Sequence, residues 1–224
     1  MYKRQLSTFF GLATLIITAR ALDDQAAFGT VLFIHAYMLF FASLASFQTW
    51  QAIVRFGTDH LKNKNAAALS KLIRLGIDLD MIAACVAYVM VIASLPIIGL
   101  IASVTSLNDV ANLDAAGIQK LVALYCTILF FRQISTSVGI FRLFDNFTLL
   151  ALRAILMPTL RFIGALIAWF QGWGVIGFLC VWYLASVCSY VALPILAFIE
   201  LKRRHLLPFV FGHGTALRLS LIHI

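Results

Sequence analysis

The stretch that decides the fold class, residues 139–177, reads GIFRLFDNFTLLALRAILMPTLRFIGALIAWFQGWGVIG. It opens with a cationic elbow that contains Arg142 and Arg153, and it continues as an apolar run with Pro158 and, one turn later, Arg161. An ionisable side chain inside such a run lies at membrane depth, where it is costly and often functional. The stretch therefore predicts a membrane helix built around a buried arginine.

The composition extends this conclusion to the whole chain. Hydrophobic residues make up 62% of it and charged residues only 12%, far from the balance of a soluble domain. Because long apolar runs recur throughout, we expect an all-α polytopic membrane protein. The net charge of +8 does not indicate a nucleic-acid partner, since the basic residues sit in short loops, where they report orientation and lipid headgroups.

The apolar runs predict six transmembrane helices that form one bundle. Their expected positions are residues 6–21, 28–52, 77–104, 118–140, 152–170 and 178–201. Between the second and third spans, apolar residues at helical spacing over 69–76 have basic neighbours, which predicts a helix in the headgroup layer. A signal peptide is the alternative for the first span, but its cleavage site would contain Arg20.

Both ends of the chain look foreign to it. Residues 1–5 (MYKRQ) and 219–224 (LSLIHI) match translations of the two strands of one transposon end used in shotgun library preparation. We therefore expect both to be adaptor scars, which fold reasoning should exclude, and the natural segment to run over about 6–218.

The loop lysines and arginines are distributed unevenly between the two sides of the predicted membrane. One side holds only two basic loop residues, Arg20 and Lys120. The other side is rich in them and holds eleven: Arg55, Lys62, Lys64, Lys71, Arg74, Arg142, Arg153, Lys202, Arg203, Arg204 and Arg218. Since the rich side is normally cytoplasmic, both ends of the segment are predicted to be cytoplasmic.

Two arginines fall inside the predicted spans. Arg161 shares its helix face with small residues such as Pro158 and Gly164, and Arg132 shares a stripe with Ser135 and Thr136. Away from their ends, spans four to six contain no acidic residue, so we expect a basic interior that attracts an anion, most naturally a phosphate or diphosphate. The structural alternatives are that Arg132 extends to the interface and that Arg161 satisfies carbonyls freed by the proline.

Other polar residues leave two interpretations open. His35, inside the second span, is either a hydrogen-bonded structural group or a proton relay. Arg20 and Arg55 either guard the two mouths of a cavity or anchor the topology. Asp78 and Asp80 are expected at the interface. No catalytic residue, cofactor or metal site is predicted, because no P-loop, HExxH, GxSxG or ligand-spaced cluster occurs.

Three stretches resemble the polysaccharide transporter family, the Wzx-type oligosaccharide flippases of the MATE-like flippase superfamily. They are TARALDDQAAFGTVLFIHAYMLFFASLASFQTWQAIVRFG (18–57), IRLGIDLDMIAA (73–84) and the stretch 139–177 quoted above. The resemblance covers nearly the whole chain. It implies two six-helix bundles that enclose a cavity opening to either side in turn, of which this chain supplies the N-terminal one.

The resemblance also implies a function without covalent chemistry. The cargo would be an undecaprenyl-diphosphate-linked oligosaccharide, moved across the bacterial inner membrane for surface polysaccharide such as lipopolysaccharide. Arg161, Arg132, Arg20 and Arg55 are the positions that the resemblance marks as headgroup contacts. The partners would be the lipid bilayer, the anionic lipid-linked glycan and a missing C-terminal half, and the chain alone should not transport.

Three other functions compete with this one. A multidrug or organic-cation exporter of the same superfamily would need intramembrane carboxylates, whereas this interior is basic. A polysaccharide polymerase or ligase would be a membrane enzyme with a long external loop, whereas the longest external loop here carries only Asp109, Asp114 and Lys120. A structural or assembly subunit of the membrane is the third.

Overall fold

The computed structural model of the chain describes residues 2–104, 114–132, 134–204 and 206. Over these residues the chain is helical and contains no strand. The helices are α1 (Tyr2–Leu22), α2 (Gln25–Leu44), α3 (Thr49–Lys62), α4 (Ala66–Val104), α5 (Ala115–Cys126), α6 (Ile128–Arg132), α7 (Thr136–Leu143), α8 (Phe147–Phe170) and α9 (Val175–Arg203). Asp109, Arg218 and the suspected scar 219–224 lie outside the described residues.

Six helical segments of the described chain are long and apolar enough to cross a membrane. They are Gln5–Leu22, Gln25–Leu44, Ala66–Ile101, Ala115–Leu143, Phe147–Phe170 and Val175–Arg203. The prediction of an all-α polytopic membrane protein is confirmed. Residues Tyr2–Gln5 of the suspected N-terminal scar belong to α1.

The second span ends at Leu44, although the hydrophobic pattern predicts that it continues to residue 52. Gln48 adopts a left-handed backbone with φ 48° and ψ 43°, which interrupts the helix before α3 begins. In α3, Ile53 and Gly57 are buried whereas Arg55 is exposed. This amphipathic pattern suits a helix at the membrane surface.

The helix that contains the third span begins at Ala66, well before residue 77, so residues 69–76 belong to α4. This helix has 39 residues, which at 1.5 Å per residue is roughly 58 Å. A bilayer core is only about 30 Å thick, so the first part of α4 extends beyond it. There it packs against α3 and α7, and Leu69 and Ile73 are fully enclosed.

The buried side chains form two clusters along the membrane normal. The larger one fills the centre of the bundle and comes mainly from α2, α4, α5, α6, α8 and the first half of α9. The smaller one joins α3, α7, the start of α4 and the end of α9 through residues such as Ile53, Phe141 and Leu201. The six-span bundle therefore has a second, extramembrane layer at the end where the basic loops lie.

The first helix packs beside α8 and runs parallel to it. The Ser7 hydroxyl donates a hydrogen bond to the Ala154 carbonyl at 3.1 Å, and the ring centroids of Phe10 and Phe162 lie 5.2 Å apart. α9 packs against the other side of α8, where Gly164 allows close approach: a Cβ atom at this glycine would lie 2.5 Å from Cγ1 of Val181. These contacts place α1 and α9 on either side of the central arginine of α8.

The fourth span is divided into α5, α6 and α7, whereas the hydrophobic pattern predicts one helix over 118–140. The division before α7 is organised by Asp80 of α4, which is only 3% exposed. Its carboxylate accepts hydrogen bonds from Thr49 Oγ1 at 2.6 Å, from Ser135 Oγ at 3.1 Å and from the Thr136 backbone N–H at 2.7 Å. A carboxylate at a helix N-terminus also interacts favourably with the helix dipole.

We refer to Thr49, Asp80, Ser135 and Thr136 as the Asp80 cluster. The expectation that Asp78 and Asp80 lie at the membrane interface stays a prediction, but the Asp80 side chain is buried and joins three helices, whereas Asp78 is half-buried. Asp80 continues the buried face of Leu69, Ile73 and Gly76 at helical spacing, and Asp78 does not. The difference arises from α7, which reaches Asp80 only after the fourth span has been interrupted.

Replacing Asp80 with alanine should destabilise the fold, because three donors would lose their acceptor. The Thr49 and Ser135 hydroxyls can still bond to each other, but the buried Thr136 N–H would be left unsatisfied. An unsatisfied buried donor costs about 1–3 kcal/mol, so we expect a loss of that size in the free energy of unfolding. Thermal unfolding of the purified protein in detergent measures this loss. Asp78→Ala is the matched control, with the same charge change two residues earlier, and equal melting temperatures for the two variants would contradict the role given to Asp80.

Candidate functional site

Arg161 lies on α8 and its guanidinium points into the bundle. Its Nη2 donates a hydrogen bond to Ser186 Oγ at 2.8 Å and lies 3.4 Å from His35 Nε2. The guanidinium carbon is 4.8 Å from the centroid of the Trp182 ring, a cation–π distance. None of the described hydrogen bonds joins Arg161 to a backbone carbonyl, so the side chain does not serve to satisfy carbonyls freed by Pro158.

His35 connects Arg161 to a second polar side chain. Its Nδ1 lies 2.7 Å from the Tyr125 hydroxyl, and its ring packs edge-on against Trp182 at 5.1 Å. A guanidinium can only donate, so Nε2 is the acceptor and the ring proton resides on Nδ1, which donates to the tyrosine oxygen. Tyr125, His35, Arg161 and Ser186 thus form one chain of hydrogen bonds across α5, α2, α8 and α9.

A cavity of about 410 Å³ opens beside this chain of hydrogen bonds. Its walls come from α1, α2, α8 and α9 and consist mainly of apolar and small residues: Thr8, Gly11, Leu12, Thr14, Leu15, Leu32, His35, Met157, Pro158, Arg161 and Trp182. Arg161 is the charged residue of this lining. Its Nε is buried and has no hydrogen-bond partner, so this donor is unused by the described protein.

Arg132 stands apart from the cavity lining. Its Nη1 donates a hydrogen bond to the Tyr190 hydroxyl at 2.7 Å, so the side chain is directed toward α9 and does not extend along the lipid surface. Arg153 also approaches Tyr190, with its guanidinium carbon 5.4 Å from the ring centroid. Sequence analysis assigned Arg153 to a loop, but α8 begins at Phe147 and includes it.

A turn signal could have corrected the start of α8. Asp145 has a left-handed backbone with φ 57°, and Asn146 follows it as the residue before the helix. Asp-Asn immediately ahead of an apolar run is typical of a helix start. Applied here, this rule would have placed Arg153 two turns inside the helix.

The three interior arginines have no acidic counterpart in the part of the chain that the structure describes. No carboxylate lies within ion-pair distance of Arg132, Arg153 or Arg161; the ion pair present there is Arg204–Glu200 at 2.7 Å, at the end of α9. An unpaired charge at low dielectric is costly and is stabilised by a counter-ion or by water. The arrangement is therefore suited to an anion.

The remaining predicted site residues are not brought to the cavity. Arg20 is exposed near the end of α1, and Arg55 is exposed on α3 with its guanidinium 5.5 Å from the Phe56 ring. The structure thus unites Arg161 with His35, places Arg132 near Arg153, and leaves Arg20 and Arg55 outside. Sequence analysis missed Tyr125, Trp182, Ser186 and Tyr190 as partners of these groups.

The described residues contain no group of three His, Cys, Asp or Glu side chains that could hold a metal ion. The cysteines Cys85, Cys126, Cys180 and Cys188 are all free thiols. The polar chemistry of the described interior consequently rests on arginine, histidine, tyrosine and hydroxyl groups.

Comparison with known proteins gives one informative similarity. No family model and no solved structure matches the chain. The chain is 31% identical over 169 residues to the inner membrane protein YghQ of Escherichia coli strain K12. The match covers 75% of this chain but only 44% of that relative, so the chain spans less than half the relative's length. The chain is a multi-pass membrane protein similar to part of an inner membrane protein.

Proposed function

We propose that this chain is the N-terminal six-helix bundle of a lipid-linked oligosaccharide flippase of the polysaccharide transporter type. Its cargo would be an undecaprenyl-diphosphate-linked oligosaccharide, translocated across the bacterial inner membrane for surface polysaccharide synthesis. The observation that carries the proposal is the Arg161 guanidinium, which lines a membrane cavity and has no described carboxylate partner. The similarity to a longer inner membrane protein supports the membrane and the partial length.

The chemistry of the cavity favours a diphosphate over other cargoes. Guanidinium groups bind phosphate oxygens through charge-assisted hydrogen bonds, and the low dielectric of the surrounding protein strengthens such bonds. Ser186 and Trp182 hold the guanidinium in place, so little side-chain entropy is lost when the anion binds. An organic cation would be repelled by Arg161, and no acidic residue lines this cavity to attract one.

The size of the cavity limits what this half can hold. Its volume of about 410 Å³ lies within the roughly 300–1,000 Å³ typical of small-molecule sites. It accommodates a diphosphate and one sugar, but not a longer glycan. A second bundle would have to enclose the rest, in agreement with a chain that spans less than half of its relative.

Orientation and location follow from the same proposal. The basic loops lie beside the extramembrane layer of α3, α7 and the ends of α4 and α9, which we assign to the cytoplasm. Assigning Arg153 to α8 removes one charge from the rich side but leaves the asymmetry intact. The cargo is assembled on a lipid carrier, so the site requires no covalent chemistry from the protein. His35 is a candidate for a proton relay because it is hydrogen-bonded to Tyr125.

Replacing Arg161 with alanine in the complete gene product should abolish or strongly reduce export of surface polysaccharide. A lost charge-assisted hydrogen bond is worth about 1.5–3 kcal/mol, so binding of the diphosphate should weaken about 10- to 100-fold. The measurement is the amount of surface polysaccharide in cells that carry the variant as their only copy.

Two controls complete this experiment. Arg203→Ala removes the same charge from an exposed position at the end of α9 and should leave export unchanged, while Arg161→Lys should retain part of it. Membrane insertion of each variant is checked by fractionation. Normal export in an inserted Arg161→Ala protein would remove the basis of the proposed function.

A further inference from the structure

Tyr190 of α9 lies between two arginines that the cavity of Arg161 does not use. Its hydroxyl accepts a hydrogen bond from Arg132 Nη1 at 2.7 Å. The guanidinium carbons of Arg132 and Arg153 lie 5.8 Å and 5.4 Å from the centroid of its ring. Tyr190 itself is only 6% exposed, so a buried ring contacts both positive charges.

Arg153 has no hydrogen-bond partner among the described residues. Apart from the aromatic contact with Tyr190, it makes no hydrogen bond or ion pair with any described residue. A guanidinium carries five N–H donors and no acceptor. Arg132 contacts the same Tyr190 ring, so the local electrostatic potential is strongly positive. The free donors of Arg153 are therefore suited to an anion.

The free side of Arg153 opens onto a groove between α8 and α9. The groove has a volume of about 340 Å³. Apart from Arg153, its walls are almost entirely aliphatic and include Leu149, Leu152, Ile155, Leu156, Leu193 and Leu196. Leu152 and Leu156 are 54% and 36% exposed, which for a helix in a bilayer means contact with hydrocarbon. The groove therefore combines one cationic group with walls suited to an alkyl chain.

The groove and the cavity of Arg161 are separate sites. They share no lining residue, and the α8 residues of the groove lie on the opposite side of the helix from Pro158 and Arg161. Arg153 lies six residues after the start of α8 at Phe147, which corresponds to about 9 Å along the helix. That depth matches the boundary between phosphate headgroups and acyl chains.

We propose that the groove between α8 and α9 binds one anionic phospholipid of the surrounding bilayer. Arg153 contacts the lipid phosphate, and Arg132, which contacts the same tyrosine, adds positive potential. One acyl chain lies along the leucine-rich wall of the groove. Basic pockets between membrane helices on the cytoplasmic side are suited to such headgroups. The site goes beyond the proposed transport activity and does not depend on it, because Arg161 takes no part.

Native mass spectrometry of the purified 224-residue chain tests this proposal. The protein is released from detergent micelles that contain either phosphatidylglycerol or phosphatidylcholine with identical acyl chains. We expect one tightly retained phosphatidylglycerol and no retained phosphatidylcholine. Arg153→Ala should lower the affinity for phosphatidylglycerol about tenfold, because one set of charge-assisted contacts is lost.

Matched variants distinguish lipid binding in this groove from nonspecific binding to surface charge and from binding in the cavity of Arg161. Arg203→Ala removes an exposed arginine at the end of α9 and should retain the lipid, as should Arg161→Ala. Leu156→Trp fills the groove without changing charge and should weaken retention, which keeps the test decisive if Arg153→Ala fails to fold. Inorganic phosphate at equal concentration should not displace the lipid, because it lacks the acyl chain.

Three results would overturn the proposal. Equal retention of the two phospholipids would show that the site does not discriminate between their headgroup charges. Equal losses of phosphatidylglycerol affinity in Arg153→Ala and Arg203→Ala would show nonspecific electrostatic attraction to the protein surface. Displacement by inorganic phosphate would show an anion site without a lipid chain. Loss of lipid in Arg153→Ala together with normal polysaccharide export would support this site and leave the function proposed for Arg161 standing.

Discussion

The guanidinium of Arg161 imposes the constraint on which the interior of this bundle depends. A charged side chain near the middle of a bilayer costs at least about 2.5–3.5 kcal/mol if it is left in lipid. The chain offsets this cost with a hydrogen bond to Ser186, a contact with His35 and the face of Trp182. Gly164 brings α9 close enough to α8 for these partners to reach the arginine. Its charge nevertheless has no described carboxylate partner, and this uncompensated charge beside a cavity is the feature that links the packing to binding.

A second polar group, Asp80, organises the other end of the molecule. Its carboxylate joins the starts of α3 and α7 to α4, and around it the chain forms a separate apolar cluster outside the membrane core. The two polar centres have opposite characters. Asp80 accepts hydrogen bonds from three neutral donors, which fits a structural role. The charge of Arg161 has no described carboxylate partner, which is why we propose it as a binding site. Arg153 and Arg204 differ in the same way. Arg153 has free donors beside an aliphatic groove, whereas Arg204 is paired with Glu200.

The fold class was accessible from sequence because hydrophobicity and length alone define membrane helices. The inward direction of Arg161 also followed from the small residues on its face. Helix boundaries were less accessible: the left-handed backbone at Gln48 and the division of the fourth span depend on contacts between distant segments, and no local pattern encodes them. Helical spacing placed Asp80 on the face of Leu69, Ile73 and Gly76 and Asp78 off it, but it could not identify the donors that Asp80 meets. The partners of Arg161 come from α2 and α9, and periodicity assigns a residue to a face without identifying its neighbour. Arg55 was grouped with the site because the second span was taken as longer than it is.

The central claim is that Arg161 faces a hydrated cavity inside the membrane, and thiol modification measures this directly. Gly11 lines the cavity, and a Cβ atom there would meet nothing within 4 Å, so Gly11→Cys in a background without native cysteines introduces a thiol beside the arginine. Val89, which is 65% exposed on α4, provides the lipid-facing control as Val89→Cys. Thiols react as thiolates, which form in water and not in hydrocarbon. We predict that a charged, membrane-impermeant thiol reagent modifies the cysteine at position 11 but not the one at position 89. Protection of both positions would contradict the claim.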